Sequence, residues 1–208
     1  KRNYNQSMSL ALIGLSAFNP KIPDIAITRR ISKLSEILTE NFYKHSDESW
    51  QWFDDKMTYC NARLPHSMIL AGKILQDKEV LMVGKTTLDF LIKKTFRKHN
   101  GKRIFHSIGN KGWYHKNNKK PSEYDEQSVE AGEMTELCAD ASEIINSAYK
   151  KYAKIAFDWY NGANTRSISM IDPVSGGVYD GITKNSINTN QGAECIVAYL
   201  MAATKISV

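Results

Sequence analysis

The sequence has few of the residues that define a disulfide scaffold, a membrane span or a metal site. Its three cysteines, Cys60, Cys138 and Cys195, are odd in number, and their spacing argues against a disulfide framework and fits no zinc motif. No apolar run approaches the roughly 20 residues that cross a bilayer, and the five histidines show no ligand spacing. We therefore assign no metal and no cofactor. The cysteines indicate a compartment that is either reducing or indifferent to disulfide formation, and we expect a cytoplasmic protein.

A Gly-rich phosphate loop after a strand is also absent, so nucleotide-sugar binding is not expected. The net charge is +6, which could indicate a nucleic-acid partner. The basic residues are scattered, however, and the densest group, within residues 93–103, is expected to form a helix end and a solvated loop. We predict no nucleic-acid partner, and a basic nucleic-acid binder is only the third alternative.

The chain has 208 residues, enough for one domain with a substantial core. It begins with Lys1 rather than Met, and we expect it to be a piece of a longer polypeptide.

Helical patterns dominate the sequence, and strand-like alternation is confined to residues 167–171 and 177–179, a candidate short ribbon. The expected fold class is all-α, with antiparallel helical hairpins. Seven or eight helices are predicted, and seven of them have assigned ranges: residues 5–17, 24–42, 65–75, 77–100, 122–139, 142–159 and 191–203.

Three long polar loops, Trp50–Leu64, Phe105–Gln127 and Asn161–Asn190, separate these helices. Each carries aromatic residues beside amides or carboxylates, and each exceeds the usual loop of about 4–6 residues. If the helices alternate in direction, the loops meet at one end of the domain and form one polar basin. Amides and carboxylates bind hydroxyl groups, and aromatic rings offer flat apolar faces. This combination suits a carbohydrate.

Four stretches of the sequence carry a resemblance to a known family. They are WQWFDDKMTYCNARLP (Trp50–Pro65), IGNKGWY (Ile108–Tyr114), YDEQSVEAGEM (Tyr124–Met134) and, within Asp172–Glu194, DPVSGGVYDGI followed by NTNQGAE. The chain resembles, from about Ala11 to Ala202, the α/α-toroid (six-hairpin glycosidase-like) domain associated with bacterial glycosyltransferases and glycan phosphorylases. The resemblance implies a toroid, partial or shortened, with an active site at one end. It also implies a glycan substrate and a possible glycosyltransferase partner.

The chain departs from the family pattern at several positions. The family generally has Asp where this chain has Cys60, Glu where it has Asp54, and Gln-Pro where Glu126 and Ser128 fall. A thiol cannot replace a carboxylate as a general acid. If the Cys60 position is catalytic, this copy is inactive.

Glycoside hydrolysis needs two carboxyl groups, and we predict the catalytic residues to be Asp180, Glu130 and Asp54. Asp180 leads because Gly181 lets the backbone approach a ligand, although an Asp-Gly pair is also a common turn. Glu130 is expected to point inward, which is costly for a carboxylate unless it is paired or bound. The alternative for Glu130 is an ion pair with Arg63.

The predicted substrate-binding residues combine stacking rings, a guanidinium, amides and carboxylates. For one of them, Glu194, the alternative is a carboxylate that only stabilises a helix start. The predicted binding residues are Trp52, Tyr59, Asn61, Arg63, Trp113, Asp125, Gln127, Tyr179, Asn190, Gln191 and Glu194.

Two functions fit the sequence. The first is a carbohydrate-active domain that hydrolyses or otherwise processes a glycan. The second is a non-catalytic carbohydrate-binding or scaffold domain beside a glycosyltransferase.

Overall fold

A computed structural model describes residues 4–206 of the chain. Helices dominate this part, and its strands are only two to four residues long. No helix in these residues combines the length and apolar character that a membrane crossing requires. In chain order the elements are α1 (Asn5–Phe18), α2 (Ile25–His45), β1 (Lys56–Met57), α3 (Arg63–Leu75), α4 (Lys78–Thr95), β2 (Phe96–His99), β3 (Lys102–Phe105), β4 (Tyr114–His115), β5 (Glu126–Gln127), α5 (Ser128–Ile144), a 3₁₀ turn (Ser147–Tyr149), α6 (Lys150–Asp158), β6 (Gly181–Ile182), β7 (Ile187–Asn188) and α7 (Ala193–Ile206).

The chain divides into two compact units. The first unit comprises the residues up to 56 together with residues 61–91, and the second comprises residues 57–60 and the chain from residue 92 onward.

The first unit is built on α1, α2 and α3, and α1 packs against both of the others. On α2 the buried residues Ile31, Leu38 and Phe42 recur at the spacing of one helix face. The start of α2 is capped by Asp24, whose carboxylate accepts the N–H of Ala26 at 2.6 Å. Local capping and one apolar face are enough to specify this helix.

The second unit is organised around α5, which packs against α6 and α7. Aromatic rings fill the space beside it. The rings of Phe157 and Tyr199 are stacked with centroids 5.6 Å apart, and the Tyr160 ring meets Tyr199 edge-on at 5.1 Å. Such pairs contribute about 0.5–1.5 kcal/mol each beyond the area they bury. The hydroxyl group of Tyr160 donates to the carbonyl of Ser128 at 2.6 Å, which anchors the start of α5.

A small three-stranded antiparallel sheet, in the order β5–β6–β7, joins two of the long loops of the second unit. Gln127 lies opposite Gly181, and Gly181 lies opposite Asn188. A separate bridge between Ile171 and Val178 lies where the sequence predicted a short ribbon. The sheet is the element that positions the candidate site.

Most predicted helices are present, but three boundaries were wrong. The helix predicted from Ser122 begins at Ser128, because residues 122–127 are loop and strand. Ser142 does not cap a helix but lies inside α5. The cap that follows is Asn146, whose side chain accepts the N–H of Ala148 at 2.8 Å.

The third error concerns Asn100-Gly101, which the sequence analysis interpreted as a helix end. Helix α4 ends earlier, at Thr95, and β2 and β3 form a hairpin in which His99 lies opposite Lys102. Asn100 and Gly101 have φ values of 48° and 78°. Two central residues with positive φ are typical of the tight turn that suits a two-residue hairpin, and Asn-Gly favours it strongly.

We expect Gly101→Ala to lower the free energy of unfolding by about 1 kcal/mol, because a side chain in the left-handed region costs roughly 1–2 kcal/mol. Space is not the cause, since a Cβ at Gly101 meets nothing within 4 Å. The measurement is urea denaturation followed by circular dichroism. Gly14→Ala is the matched control: a Cβ there also meets nothing within 4 Å, but Gly14 lies inside α1, so the change should stabilise by about 0.5–1 kcal/mol. Equal effects at both positions would contradict the turn assignment.

Candidate functional site

The candidate site is a cleft in the second unit, made of two adjoining cavities of about 160 Å³ and about 500 Å³. The larger volume lies within the roughly 300–1,000 Å³ typical of ligand pockets. Four residues, Asn110, Gln127, Val129 and Glu194, line both cavities, so the two form one cleft. The smaller cavity is also lined by Asp125, Glu126, Asp180, Gly181, Thr183, Asn188 and Cys195, and the larger one by Tyr59, Cys60, Lys111 and Trp113.

The close pairing of β5 with β6 builds the floor of the cleft. A Cβ added to Gly181 would lie 2.1 Å from the carbonyl oxygen of Glu126, so only glycine permits this approach. Gly181 was predicted to let the backbone approach a ligand, but the group that the Gly181 backbone approaches is the backbone of β5. The N–H of Ser128 also donates to the carbonyl of Asp180 at 2.9 Å. Asp180 is thereby fixed beside the start of α5.

The Asp180 carboxylate accepts three hydrogen bonds. The donors are the Asn190 side-chain amide at 2.5 Å, the Cys195 thiol at 3.0 Å and the Gly192 N–H at 3.3 Å. Partial burial by itself raises the pKa of Asp180, but these donors outweigh it and the net shift is downward. Asp180 is therefore ionised near neutral pH, the state of a general base or nucleophile.

Two further exposed or half-buried carboxylates, Asp125 and Glu194, line the cleft with Asp180. Glu194 lies in the first turn of α7, where the helix dipole favours negative charge. Lys111 is the single basic residue among the described residues that line the cleft. Its Nζ lies 3.8 Å from an oxygen of Asp125. The cleft therefore has a negative balance of charge.

An aromatic pair forms one wall of the larger cavity. The rings of Tyr59 and Trp113 have centroids 6.4 Å apart and are inclined by 52°. Trp113 has a φ of 56° and Cys60 a φ of 51°. Such backbone conformations cost about 1–3 kcal/mol each and cluster at functional sites. Their occurrence on two lining residues of one cavity supports a binding role.

Glu130 supports this wall from α5. It is 5% exposed, and its Oε1 accepts the N–H of Cys60 at 2.6 Å. The contact holds the segment that presents Tyr59. Glu130 is thus buried and engaged, as the sequence predicted for an inward carboxylate, although it is not among the residues that line the two cavities.

Three other predicted binding residues lie beside the cleft rather than in its lining. Asn190 donates to Asp180, as described above. Gln191 instead donates to Asp172 at 2.8 Å and accepts the hydroxyl proton of Ser175, also at 2.8 Å. Hydrogen bonds to Asp172 from the N–H of Val174, from the Ser175 hydroxyl at 2.7 Å and from the Gln191 amide lower the pKa of Asp172 to about 2 and fix a turn. Tyr179 is half-buried next to Asp180.

Four predicted residues, Trp52, Asp54, Asn61 and Arg63, belong to the first unit. The indole of Trp52 is 1% exposed and packs in the core of that unit against the rings of Phe53 and Phe90. A ring buried to this degree is not available to stack on a sugar, so we exclude it from the proposed binding set. Asp54 accepts the N–H of Asp55 at 2.7 Å, Asn61 is buried and Arg63 begins α3.

Four residues that line the cleft were not among the predicted site residues: Asn110, Lys111, Asn188 and Cys195. Asn110 and Lys111 lie in the stretch IGNKGWY, two or three residues from Trp113, so that motif held a usable signal. In the sequence, Cys195 was considered as a disulfide partner or a metal ligand, and neither role was assigned to it. Only its contact with Asp180 reveals its polar role.

Glu126 is a further residue that was not predicted, and it supports the site from the interior of the second unit. Successive side chains of a strand point to opposite faces, and the fully buried Glu126 carboxyl group points into the interior. Its Oε2 accepts the indole N–H of Trp159 at 2.9 Å and its Oε1 accepts the Thr165 hydroxyl proton. Burial raises the pKa of Glu126 to about 7, although these two donors oppose the shift.

His106 is the neighbour of this buried acid, with its Nε2 3.6 Å from Oε1 of Glu126. Burial, and then the positive charge of Arg97, lower the pKa of His106 to about 4. In mildly acidic solution both groups are therefore neutral. A buried neutral pair avoids the desolvation cost of two charges.

Within the described residues 4–206, no group of three or more His, Cys, Asp or Glu side chains is placed to hold a metal ion.

Comparison with known proteins gives a likeness in fold but no match in sequence. No protein-family model matches the chain, and no curated protein sequence matches it. Among solved structures, the GH76A alpha-1,6-mannanase from Salegentibacter sp. HEL1_6 is similar with a TM-score of 0.71 and 16% sequence identity, over 99% of this chain and 55% of that one. At this identity the likeness shows the fold. The prediction of an all-α fold of the α/α-toroid kind is confirmed, and the chain spans about half the length of the mannanase it matches.

We expect Glu126→Gln to gain stability relative to the parent protein as pH rises from about 4.5 to about 7. Over this range the folded parent retains a proton that its unfolded state has lost, so rising pH lowers its free energy of unfolding. The amide cannot ionise, and the variant escapes this loss. The relative gain is on the order of 3 kcal/mol, at about 1.4 kcal/mol per pKa unit. Urea unfolding at several pH values measures it.

The control is Glu123→Gln, which should change in the opposite direction. A hydrogen bond from Lys120 at 3.1 Å lowers the pKa of Glu123, so the stability it contributes is lost as pH falls. This variant should lose stability relative to the parent as pH rises. Parallel pH profiles for parent and Glu126→Gln would show that Glu126 titrates normally.

Proposed function

We propose that the cleft binds a glycan and hydrolyses a glycosidic bond by carboxylate acid/base chemistry. The observation that carries this proposal is the placement of three carboxylates, Asp125, Asp180 and Glu194, in one cleft whose wall is the Tyr59–Trp113 pair. Carboxyl groups supply both proton transfers of glycoside hydrolysis. Aromatic rings bind the apolar C–H faces of sugars.

In this proposal Asp180 is the base or nucleophile, because its three donors keep it ionised. A water molecule adds its oxygen to the anomeric carbon and loses one proton to a carboxylate. It attacks the glycoside directly, with Asp180 as the base, or it attacks a covalent glycosyl–Asp180 intermediate, whose bond between the anomeric carbon and the Asp180 oxygen then breaks. The bond between the anomeric carbon and the leaving oxygen breaks, and that oxygen takes a proton from a carboxylic acid. Asp125 and Glu194 are the cleft residues available for the acid role.

Two more predicted catalytic residues enter the proposal less directly. Glu130 holds the Cys60 backbone and thereby the aromatic wall, so its replacement should weaken binding. Asp54 stays a predicted catalytic residue of the first unit. Asn61 and Arg63 likewise stay predicted binding residues.

We infer a neutral glycan rather than a uronate as the substrate class. A cleft with three carboxylates and one lysine repels an acidic sugar, and this repulsion increases at low ionic strength. A solved structure of similar fold is that of an alpha-1,6-mannanase. Neutral α-1,6-linked manno-oligosaccharides are therefore the first substrates to test.

The alternative proposal is a non-catalytic carbohydrate-binding or scaffold domain, with a glycosyltransferase as its possible partner. Cys60 favours it, because this residue lines the larger cavity at a position where the family that the sequence resembles has Asp. A cleft without that carboxylate retains its amides and rings. It could still bind a sugar.

We expect Asp180→Asn to lower product formation by about 10²–10⁴, the usual contribution of acid/base catalysis. The amide retains the shape of the carboxylate but cannot accept a proton near neutral pH. Affinity should stay within about tenfold, or roughly 1.4 kcal/mol. Reducing-end assays on manno-oligosaccharides and calorimetric titration measure the two quantities.

Asp89→Asn is the control, since Asp89 is an exposed residue of α4 paired with Lys85 and should leave both quantities unchanged. Full activity of Asp180→Asn rules out the catalytic assignment. If the parent binds glycans without cleaving them, Cys60→Asp is the next variant. A gain of activity there would identify this chain as a degenerate enzyme.

We expect Trp113→Ala and Tyr59→Ala each to weaken glycan binding by roughly 3- to 10-fold, from a stacking contribution of about 0.5–1.5 kcal/mol. In the parent, glycan should also change tryptophan fluorescence, and Trp113→Ala should lose most of that change. Tyr43→Ala is the control, because Tyr43 is a comparably exposed tyrosine of α2. Equal affinity in all three variants would exclude the aromatic wall as a subsite.

A further inference from the structure

The orientation of the Asp180 carboxylate depends on groups that follow it in sequence. Its Oδ2 is held by the Asn190 amide, and its Oδ1 is shared by the Gly192 N–H and the Cys195 thiol. Asn190 and Gly192 belong to the segment before α7, whereas Cys195 lies in the first turn of that helix. The thiol is thus the donor that ties the carboxylate to a helix packed on α5.

The thiol of Cys195 is suited to act as a donor. Burial, together with the negative charge of Asp180, raises the pKa of Cys195 to about 11, so the sulfur carries its proton at neutral pH. The 3.0 Å distance from Sγ to Oδ1 is short for a sulfur donor. The residue is 6% exposed and lines the smaller cavity, which leaves the S–H group shielded from bulk water.

We propose that Cys195 is a positioning residue, whose S–H···O contact orients the Asp180 carboxylate for the hydrolysis proposed above. The inference rests on that proposed function, but its structural part, the hold on Asp180, can be tested without any substrate. Cys195 itself does not react. It acts only through Asp180.

Because charged groups surround Asp180, its pKa depends on the hydrogen bond from the Cys195 thiol. The other carboxylates that line the cleft are Asp125 and Glu194, because the Glu126 carboxyl group points into the interior. The Nζ of Lys111 lies 3.8 Å from an oxygen of Asp125. Negative neighbours favour protonation of Asp180. Removing one donor should therefore raise its pKa, because one stabilising hydrogen bond to the carboxylate is lost while the negative neighbours remain.

The test compares Cys195→Ala, which removes the donor, with Cys195→Ser, which retains a hydroxyl donor. Carbon-13 NMR of the Asp180 carboxyl group, in ligand-free protein, follows its titration directly. We expect a higher Asp180 pKa in Cys195→Ala and a return toward the parent value in Cys195→Ser. With manno-oligosaccharides, kcat of the Ala variant should fall roughly 10-fold or more, the loss of one hydrogen bond to a charged group. KM should change little, and the acidic limb of the pH profile should move upward.

Cys138→Ala is the matched control, because Cys138 is a fully buried cysteine of α5 whose thiol contacts Met134. This substitution also removes a thiol, but at a position that does not line the cleft, so it should leave the Asp180 titration and the pH profile unchanged. An unaltered Asp180 titration in Cys195→Ala overturns the inference, as does an upward shift with unchanged kcat. If the parent cleaves no glycan, the proposed function fails by itself, while the NMR titration still decides whether Cys195 holds Asp180.

Discussion

Much of the second unit depends on the antiparallel contact between Glu126–Gln127 and Gly181–Ile182. These residues come from two long loops that are far apart in sequence, and the glycine permits a backbone approach that any side chain would block. Asp180 directly precedes the contact on one strand, and Ser128 directly follows it on the other and donates to the carbonyl of Asp180. A ladder of two residues therefore fixes a carboxylate at the start of the central helix.

The same short strand has two faces with different chemistry. On the cleft side Gln127 presents an amide beside Asp180 and Glu194. On the inner side the Glu126 carboxyl group accepts hydrogen bonds from Trp159 and a threonine. A buried acid is tolerated there because it is satisfied by donors and stays protonated over much of the pH range. The polar cleft thus rests on an interior that is itself polar but uncharged in mildly acidic solution.

How much of the fold could be predicted depends on how local each signal is. Asp24 and Asp77, at which two helices were predicted to start, do cap those helices, because a cap involves only the next two or three residues. Asn100-Gly101 was misinterpreted, since the dipeptide suits both a helix end and a hairpin turn. Only the pairing of β2 with β3 distinguishes a hairpin turn from a helix end, and that pairing involves residues on both sides of the dipeptide. Trp52 was misassigned for the same reason, because a core indole and a stacking indole look alike in sequence.

The sequence by itself determined the helical fold class and the chemistry available to the loops: amides, carboxylates and aromatic rings at loop positions. Tertiary structure decided which of these groups share a cleft. It brought Asp125, Asp180, Glu194, Tyr59 and Trp113 to one cleft, placed Trp52 in a core, and gave Cys195 and Glu126 supporting roles beside and beneath that cleft. The physical reason is that helix periodicity and capping act over a few residues. Convergence at a cleft instead depends on hydrogen bonds and close packing between distant segments, and no local pattern encodes these.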